Sequence, residues 1–99
     1  MNTKERVFEF VSLIPKGKVT TYGQIARYVD SGPRAVGQYL HQNVDPKTYP
    51  CHRVVHSDGT LAPSYAFGGS EKQKQFLVKE GVVFINNKVD MKSSLWKSI

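Results

Sequence analysis

"TTYGQIARYVDSGPRAVGQYLHQN", Thr20 to Asn43, reads as two short helices with a break between them. Thr21 and Gln24 have the three-residue spacing of a capping box, and Tyr22, Ile25, Ala26 and Val29 then recur at helical intervals along one stripe. A helix is therefore expected to start near Tyr22. Ser31-Gly32-Pro33 interrupts it, and Pro33 suits the first position of a second helix, where a missing N–H costs nothing. Val36 and Leu40 then face inward at i and i+4, and this helix is expected to end near Asn43. Helix, tight Gly/Pro turn, helix is the outline of a helix-turn-helix.

Working outward, Val7, Phe10, Val11 and Ile14 form one apolar stripe between Lys4 and Ile14, which predicts a helix stopped by Pro15 and Gly17. Downstream, Asp45 to Pro50 reads as an irregular loop. "HSDGTLAPSYAFGG" is turn-rich, with Asp58-Gly59 as a hairpin signal. Ser70 and Gln73 repeat the capping-box spacing and open a helix through Phe76 and Leu77 that ends at Glu80, before Gly81. "VVFINNKVDM" predicts two short strands about an Asn86-Asn87 turn. The fold class expected is mainly α with a small β element, built on a winged-helix-like helix-turn-helix.

With 99 residues, the chain suits one compact domain over residues 1–99. It contains no apolar run of about 18 residues, the length of a membrane span, and its N-terminus lacks a basic-then-apolar secretory layout. A cytoplasmic or nucleoid location is expected, with no membrane partner. The formal net charge of +6 has two readings: lysines that keep a small domain soluble, or a face for a polyanion. Arg34 bears on the choice. It falls in the first turn of a helix, where a cation opposes the helix dipole, so an anion or a DNA groove would compensate it; a solvated surface charge is the alternative. Gly37 inside the same helix costs about 1 kcal/mol relative to alanine, a cost usually accepted where another backbone comes close.

The single cysteine lies in "YPCHRVVHSDG", Tyr49 to Gly59. One cysteine makes no internal disulfide, and Cys51, His52 and His56 are too crowded, with no second cluster, for a structural zinc site. A nucleophilic thiol needs a cation, a helix N-terminus or a histidine to stabilise its thiolate, and His52 and Arg53 follow Cys51 directly. A histidine acting as base needs an orienting acceptor; Glu80, at a helix end, is the carboxylate nominated. The alternative is a small buried hydrophobe.

"PCHRV" at Pro50 to Val54, preceded by "GKVTTYGQIA" and "RAVGQYLHQN" and followed by "FGG" and a helix ending in "KEG", resembles the catalytic DNA-binding domain of the O6-alkylguanine-DNA alkyltransferases and their relatives, the alkyltransferase-like proteins. The resemblance runs from about Lys4 to Gly81. It implies a protein that binds duplex DNA in the minor groove, extrudes an alkylated guanine and moves the alkyl group irreversibly to Cys51. It further implies that Tyr22 crowds a phosphate and helps rotate the nucleotide, that Arg34 fills the vacated stack, and that Ala35, Gly37 and Gln38 also meet DNA. Asn43 would brace the active-site loop, His52 would be the water-linked base, Glu80 its orienting carboxylate, and Pro50 and Arg53 structural members of the motif. No metal or organic cofactor is needed, because a thiolate can attack an activated carbon directly. A monomer is expected.

Two features depart from the alkyltransferase pattern. The usual separate N-terminal domain is not expected here, and "SYAFGG" departs from the usual tyrosine and serine spacing of the pocket, so that Tyr65 would line it only with a one-residue shift. The tail "EGVVFINNKVDMKSSLWK" resembles the alkyltransferase-like branch, whose members usually carry Trp or Ala in place of the cysteine and hand lesions to nucleotide excision repair proteins.

Overall fold

Asn2 starts the first helix, α1 (Thr3–Ser12): its side chain accepts from the Glu5 amide at 2.8 Å while Glu5 accepts from the Asn2 amide at 3.2 Å. This computed structural model describes residues 1–63 and 65–97. The reciprocal cap draws the helix one residue earlier than the apolar stripe alone suggests, and the helix stops at Ser12 rather than Ile14. Ile14 is nonetheless buried just beyond it.

The short strand β1 (Thr20–Thr21) leads into α2 (Tyr22–Val29), and Thr21 caps that helix through the Gln24 amide at 3.0 Å. The second half of the expected box is not made, because the Gln24 side chain accepts from the Thr20 hydroxyl at 2.7 Å instead. Asp30 in the left-handed region closes α2, and α3 (Pro33–His41) begins with proline at its first position. It ends two residues short of Asn43, leaving that side chain outside the helix. Val7, Phe10, Val11 and Ile14 meet Ile25, Ala26, Val29, Val36 and Leu40 in the main core, where each fully buried aliphatic side chain contributes about 1.5–3 kcal/mol.

A parallel pairing of β1 with β2 (Val54–Val55), Thr20 opposite Val54 and Thr21 opposite Val55, ties the cysteine loop behind the start of α2. The Asp58-Gly59 signal makes a turn, with Gly59 at φ +89°, but no hairpin. The turn closes on itself, the His56 amide donating to the Thr60 carbonyl and the Gly59 amide to the His56 carbonyl, and it docks on a distant strand, where the Gly59 carbonyl accepts from Val89 and an added Cβ at Gly59 would strike the Val89 carbonyl.

The helix α4 (Gly69–Lys79) is not opened by a Ser70–Gln73 box. Gly68, at φ +119°, precedes it without a side-chain cap, and Gln73 points into the interior. Gly81 at φ +91° terminates it, as expected. The strands β3 (Phe84–Ile85) and β4 (Lys88–Val89) pair antiparallel about Asn86 and Asn87, both at positive φ as a tight hairpin turn demands. A last short helix, α5 (Met91–Ser94), capped by Asp90, returns the chain so that Trp96 donates to the Val19 carbonyl and packs its ring 5.5 Å from that of Phe10. The result is a mainly helical helix-turn-helix domain with two small sheets. No helix among the described residues is long and apolar enough to cross a membrane.

Candidate active site

Cys51 opens a 3-10 turn, Cys51–Arg53, between Pro50 and β2. Its amide donates to the Tyr49 carbonyl and that of Arg53 to the Pro50 carbonyl, so the turn is fixed by its own backbone before the β1–β2 ladder anchors its far end. The thiol is 5 % exposed. Asn43, released by the early end of α3, donates from Nδ2 both to the Tyr49 carbonyl at 2.8 Å and to the Cys51 sulfur at 3.2 Å, while its Oδ1 accepts from the Asp45 amide. One buried amide thus braces the loop and touches the sulfur. Burial pushes the Cys51 pKa up, and the Asn43 and backbone hydrogen bonds offset only part of that shift.

His52 turns the other way, placing Nε2 2.9 Å from Oε2 of Glu80. A carboxylate only accepts, so Nε2 carries the proton and a neutral ring keeps Nδ1 as its acceptor. Burial holds the His52 pKa below its ordinary value despite the opposing pull of Glu80, so the ring is uncharged and basic near neutral pH. Glu80, the C-cap residue of α4, is also gripped by Arg53 through Nε at 3.0 Å and Nη2 at 2.6 Å. Burial would raise the Glu80 pKa, but the hydrogen bonds from Arg53 and His52 outweigh it and hold the group ionised. Arg53 spans further, donating from Nη1 to the Ile14 carbonyl at 2.7 Å, so it links the cysteine loop, α4 and the end of α1.

Gln73 does what no sequence signal revealed. It is fully buried, donating to the His52 and Val54 carbonyls at 3.0 and 2.9 Å and accepting from the Ala62 amide at 3.1 Å. A polar residue three positions after a serine mimics a cap, and the loop carbonyls that it serves are remote in sequence.

A cavity of about 700 Å³ has Cys51 in its wall, with Tyr22 from α2 and Arg34, Gly37 and Gln38 from α3. Burial lifts the Tyr22 hydroxyl to a pKa of about 12 and raises that of Tyr65 as well. Tyr65 lines the same cavity, a place that its spacing reached only with a one-residue shift, and its hydroxyl is the one buried side-chain polar atom without a hydrogen-bond partner among the described residues. Arg34 and Gln38 are exposed on the rim. Gly37 receives no protein backbone: a Cβ there would meet only the Tyr22 ring at 3.9 Å, so the close approach expected from the sequence is open to a ligand instead. Ala35, half-buried on α3, and Asn43, Pro50, His52, Arg53 and Glu80 lie outside the cavity lining.

Residues 2–82 match the family model for the 6-O-methylguanine DNA methyltransferase, DNA binding domain. The chain belongs to this family. It is 39 % identical to alkyltransferase-like protein 1 of Schizosaccharomyces pombe, over 93 % of this chain and 92 % of that protein. It is 40 % identical to the methylated-DNA–protein-cysteine methyltransferase of Methanothermobacter thermautotrophicus, over 80 % of this chain but 44 % of the relative. In three dimensions it superposes on S. pombe Atl1, in complex with damaged DNA containing O6-carboxymethylguanine, with a TM-score of 0.85 at 35 % identity, covering 97 % of this chain and 95 % of that one. Family members thus include proteins named for methyl transfer to cysteine and one seen on alkylated DNA, and the part matched here is their DNA-binding domain.

Proposed function

We propose that this chain binds duplex DNA carrying an O6-alkylguanine, takes the extruded base into the Cys51 cavity and transfers the alkyl group once to the sulfur. The observation that carries this reading is a thiol in the wall of a cavity framed by a helix-turn-helix, with Asn43 donating to it and a His52–Glu80–Arg53 array on the adjoining residues. His52 Nδ1, through a water, removes the thiol proton, and Glu80 steadies the imidazolium so formed. The thiolate attacks the alkyl carbon. A carbon–sulfur bond forms, and the carbon–O6 bond breaks with its electron pair left on guanine, which takes up a proton to balance the one removed.

Extruding the base costs a few kcal/mol, less for a damaged pair, so the protein must replace what the stack loses. Arg34 enters the vacated stack, Tyr22 crowds the phosphate, and Ala35, Gly37 and Gln38 meet the duplex along α3. The unpartnered Tyr65 hydroxyl faces a polar group of the purine.

A second reading, a non-catalytic lesion binder that recruits nucleotide excision repair proteins, is favoured by the raised Cys51 pKa and by the near full-length match to alkyltransferase-like protein 1. Intact mass after incubation with an O6-methylguanine oligonucleotide separates the two. Transfer adds one methyl mass, and Cys51→Ala abolishes the gain while sparing binding. Tight lesion binding with unchanged mass selects the second reading.

A further inference from the structure

Two of the chain's three histidines, His41 and His56, line the cavity, yet the proposed chemistry uses only the third, His52. His56 lies outside it, on an exposed rim position after β2, with its ring 5.2 Å from the Tyr22 ring. Its backbone is pinned, because its amide donates to the Thr60 carbonyl and its carbonyl accepts from Gly59. The ring lies beside that of Tyr22, in the wall of a cavity that α3 also lines.

The charges around it are one-sided. Arg34 and His41 of α3 line the same cavity, and no carboxylate does among the described residues. The remaining titratable groups facing in are Tyr22, Tyr65 and the Cys51 thiol, all with raised pKa values and so uncharged near neutral pH. Within its own turn Asp58 is occupied by the Thr60 amide and hydroxyl, at 3.0 and 2.7 Å, and is held acidic chiefly by those bonds, with a smaller contribution from Lys88. A rim that carries Arg34 and two imidazoles, with no carboxylate among its described lining residues, suits a phosphate, and an imidazole that meets a phosphate can take up a proton.

We propose that His56 is a DNA-phosphate contact that binds in its imidazolium form, so that docking on the duplex draws a proton onto this ring. The proposal rests on the DNA-binding reading above, and extends it to a residue outside the motif. His56, its ring tilted against that of Tyr22, would hold the phosphate against which that tyrosine works, and affinity would rise as pH falls.

The test is fluorescence anisotropy with an undamaged labelled duplex at fixed ionic strength, on wild-type protein, His56→Gln, His56→Lys and His41→Gln. Wild-type affinity should fall about fivefold between about pH 6 and about pH 8, the scale of one exposed charge contact. His56→Gln should lose this dependence, and at the lower pH its plot of log affinity against log salt should be shallower by about 0.9. His56→Lys, charged throughout, should bind at the higher pH as wild type does at the lower, and His41→Gln should keep the wild-type pH curve. Duplex binding with the full pH dependence retained in His56→Gln, or lost instead in His41→Gln, overturns this proposal alone. Failure of the wild type to bind duplex at either pH overturns it together with the proposed function.

Discussion

The His52 imidazole and the Glu80 carboxylate, 28 positions apart, meet at 2.9 Å because α4 ends where the cysteine loop turns. The contact raises the basicity of a ring that burial would otherwise make a poor proton acceptor. Glu80→Gln removes the charge that steadies the imidazolium and leaves Arg53 without its anion. If the chain transfers alkyl groups as proposed, single-turnover transfer should fall roughly a hundredfold, the usual worth of a tuned general base. Stability in urea should fall by about 2–4 kcal/mol, because a cation is left largely buried. A transfer rate equal to wild type would remove Glu80 from the mechanism.

Stability should peak between about pH 6.5 and about pH 8.5. On the acid side His52, whose pKa is lowered on folding, binds its proton more readily in the unfolded chain, so stability declines as pH falls below about 6.5. Glu80 is lowered too and adds a second loss below about pH 4.3. On the alkaline side the folded state holds the Cys51 proton more tightly than the unfolded chain does, so its contribution is full below about pH 8.5 and declines above it. Tyr22 and Tyr65 follow above about pH 10. Thermal melts of Cys51→Ala should lose the first alkaline decline and keep both acid ones. A melting profile identical to wild type from neutral to alkaline pH would contradict the burial of the thiol.

Gln73 satisfies three buried backbone groups at once. Gln73→Leu fills its space yet leaves the His52 and Val54 carbonyls and the Ala62 amide unpaired, at a cost of roughly 3–5 kcal/mol by chemical denaturation. Gln73→Glu keeps one acceptor but aims a carboxylate at two carbonyls, so it should be worst near neutral pH and improve once the pH is low enough to protonate the buried acid. A surface-like loss below about 0.5 kcal/mol for Gln73→Leu would contradict the network.

What the sequence disclosed was whatever is local. The α2 stripe, Pro33 at the start of α3 and the Asn86-Asn87 turn each carry their reason within a few residues, and each forms as expected. Glu80 could be nominated because a carboxylate at a helix end next to Gly81 has a defined place. The β1–β2 pairing could not, since two residues on each strand leave no period to detect. Gln73 was misread for a related reason: the spacing of a cap is local, whereas its true partners depend on the path of the cysteine loop. The same path sets Tyr65 in the cavity wall, Arg53 on Glu80 and His56 beside Tyr22.

Arg34 projects from the first turn of α3, exposed on the cavity rim, where nothing intrahelical rewards a cation. If it fills the place of an extruded base, Arg34→Ala should weaken binding to damaged duplex more than to single strands, which have no stack to fill. Equal losses on both in a filter-binding comparison would mean that Arg34 touches only phosphate.

Gly37 separates folding from binding most cleanly. An added methyl meets only the Tyr22 ring at 3.9 Å, an ordinary contact, so Gly37→Ala introduces no clash inside the protein. Replacing glycine in a helix interior should stabilise the free protein by about 0.5–1 kcal/mol, raising the melting temperature by roughly 2–8 °C in a domain of this size. The same methyl protrudes where α3 borders the cavity, in space that the duplex backbone needs if α3 is the recognition element. A more stable protein with several-fold weaker duplex affinity is the expected pair of results from calorimetry and anisotropy. Greater stability with unaltered affinity would move the DNA away from this face of α3, because the methyl would then have displaced nothing.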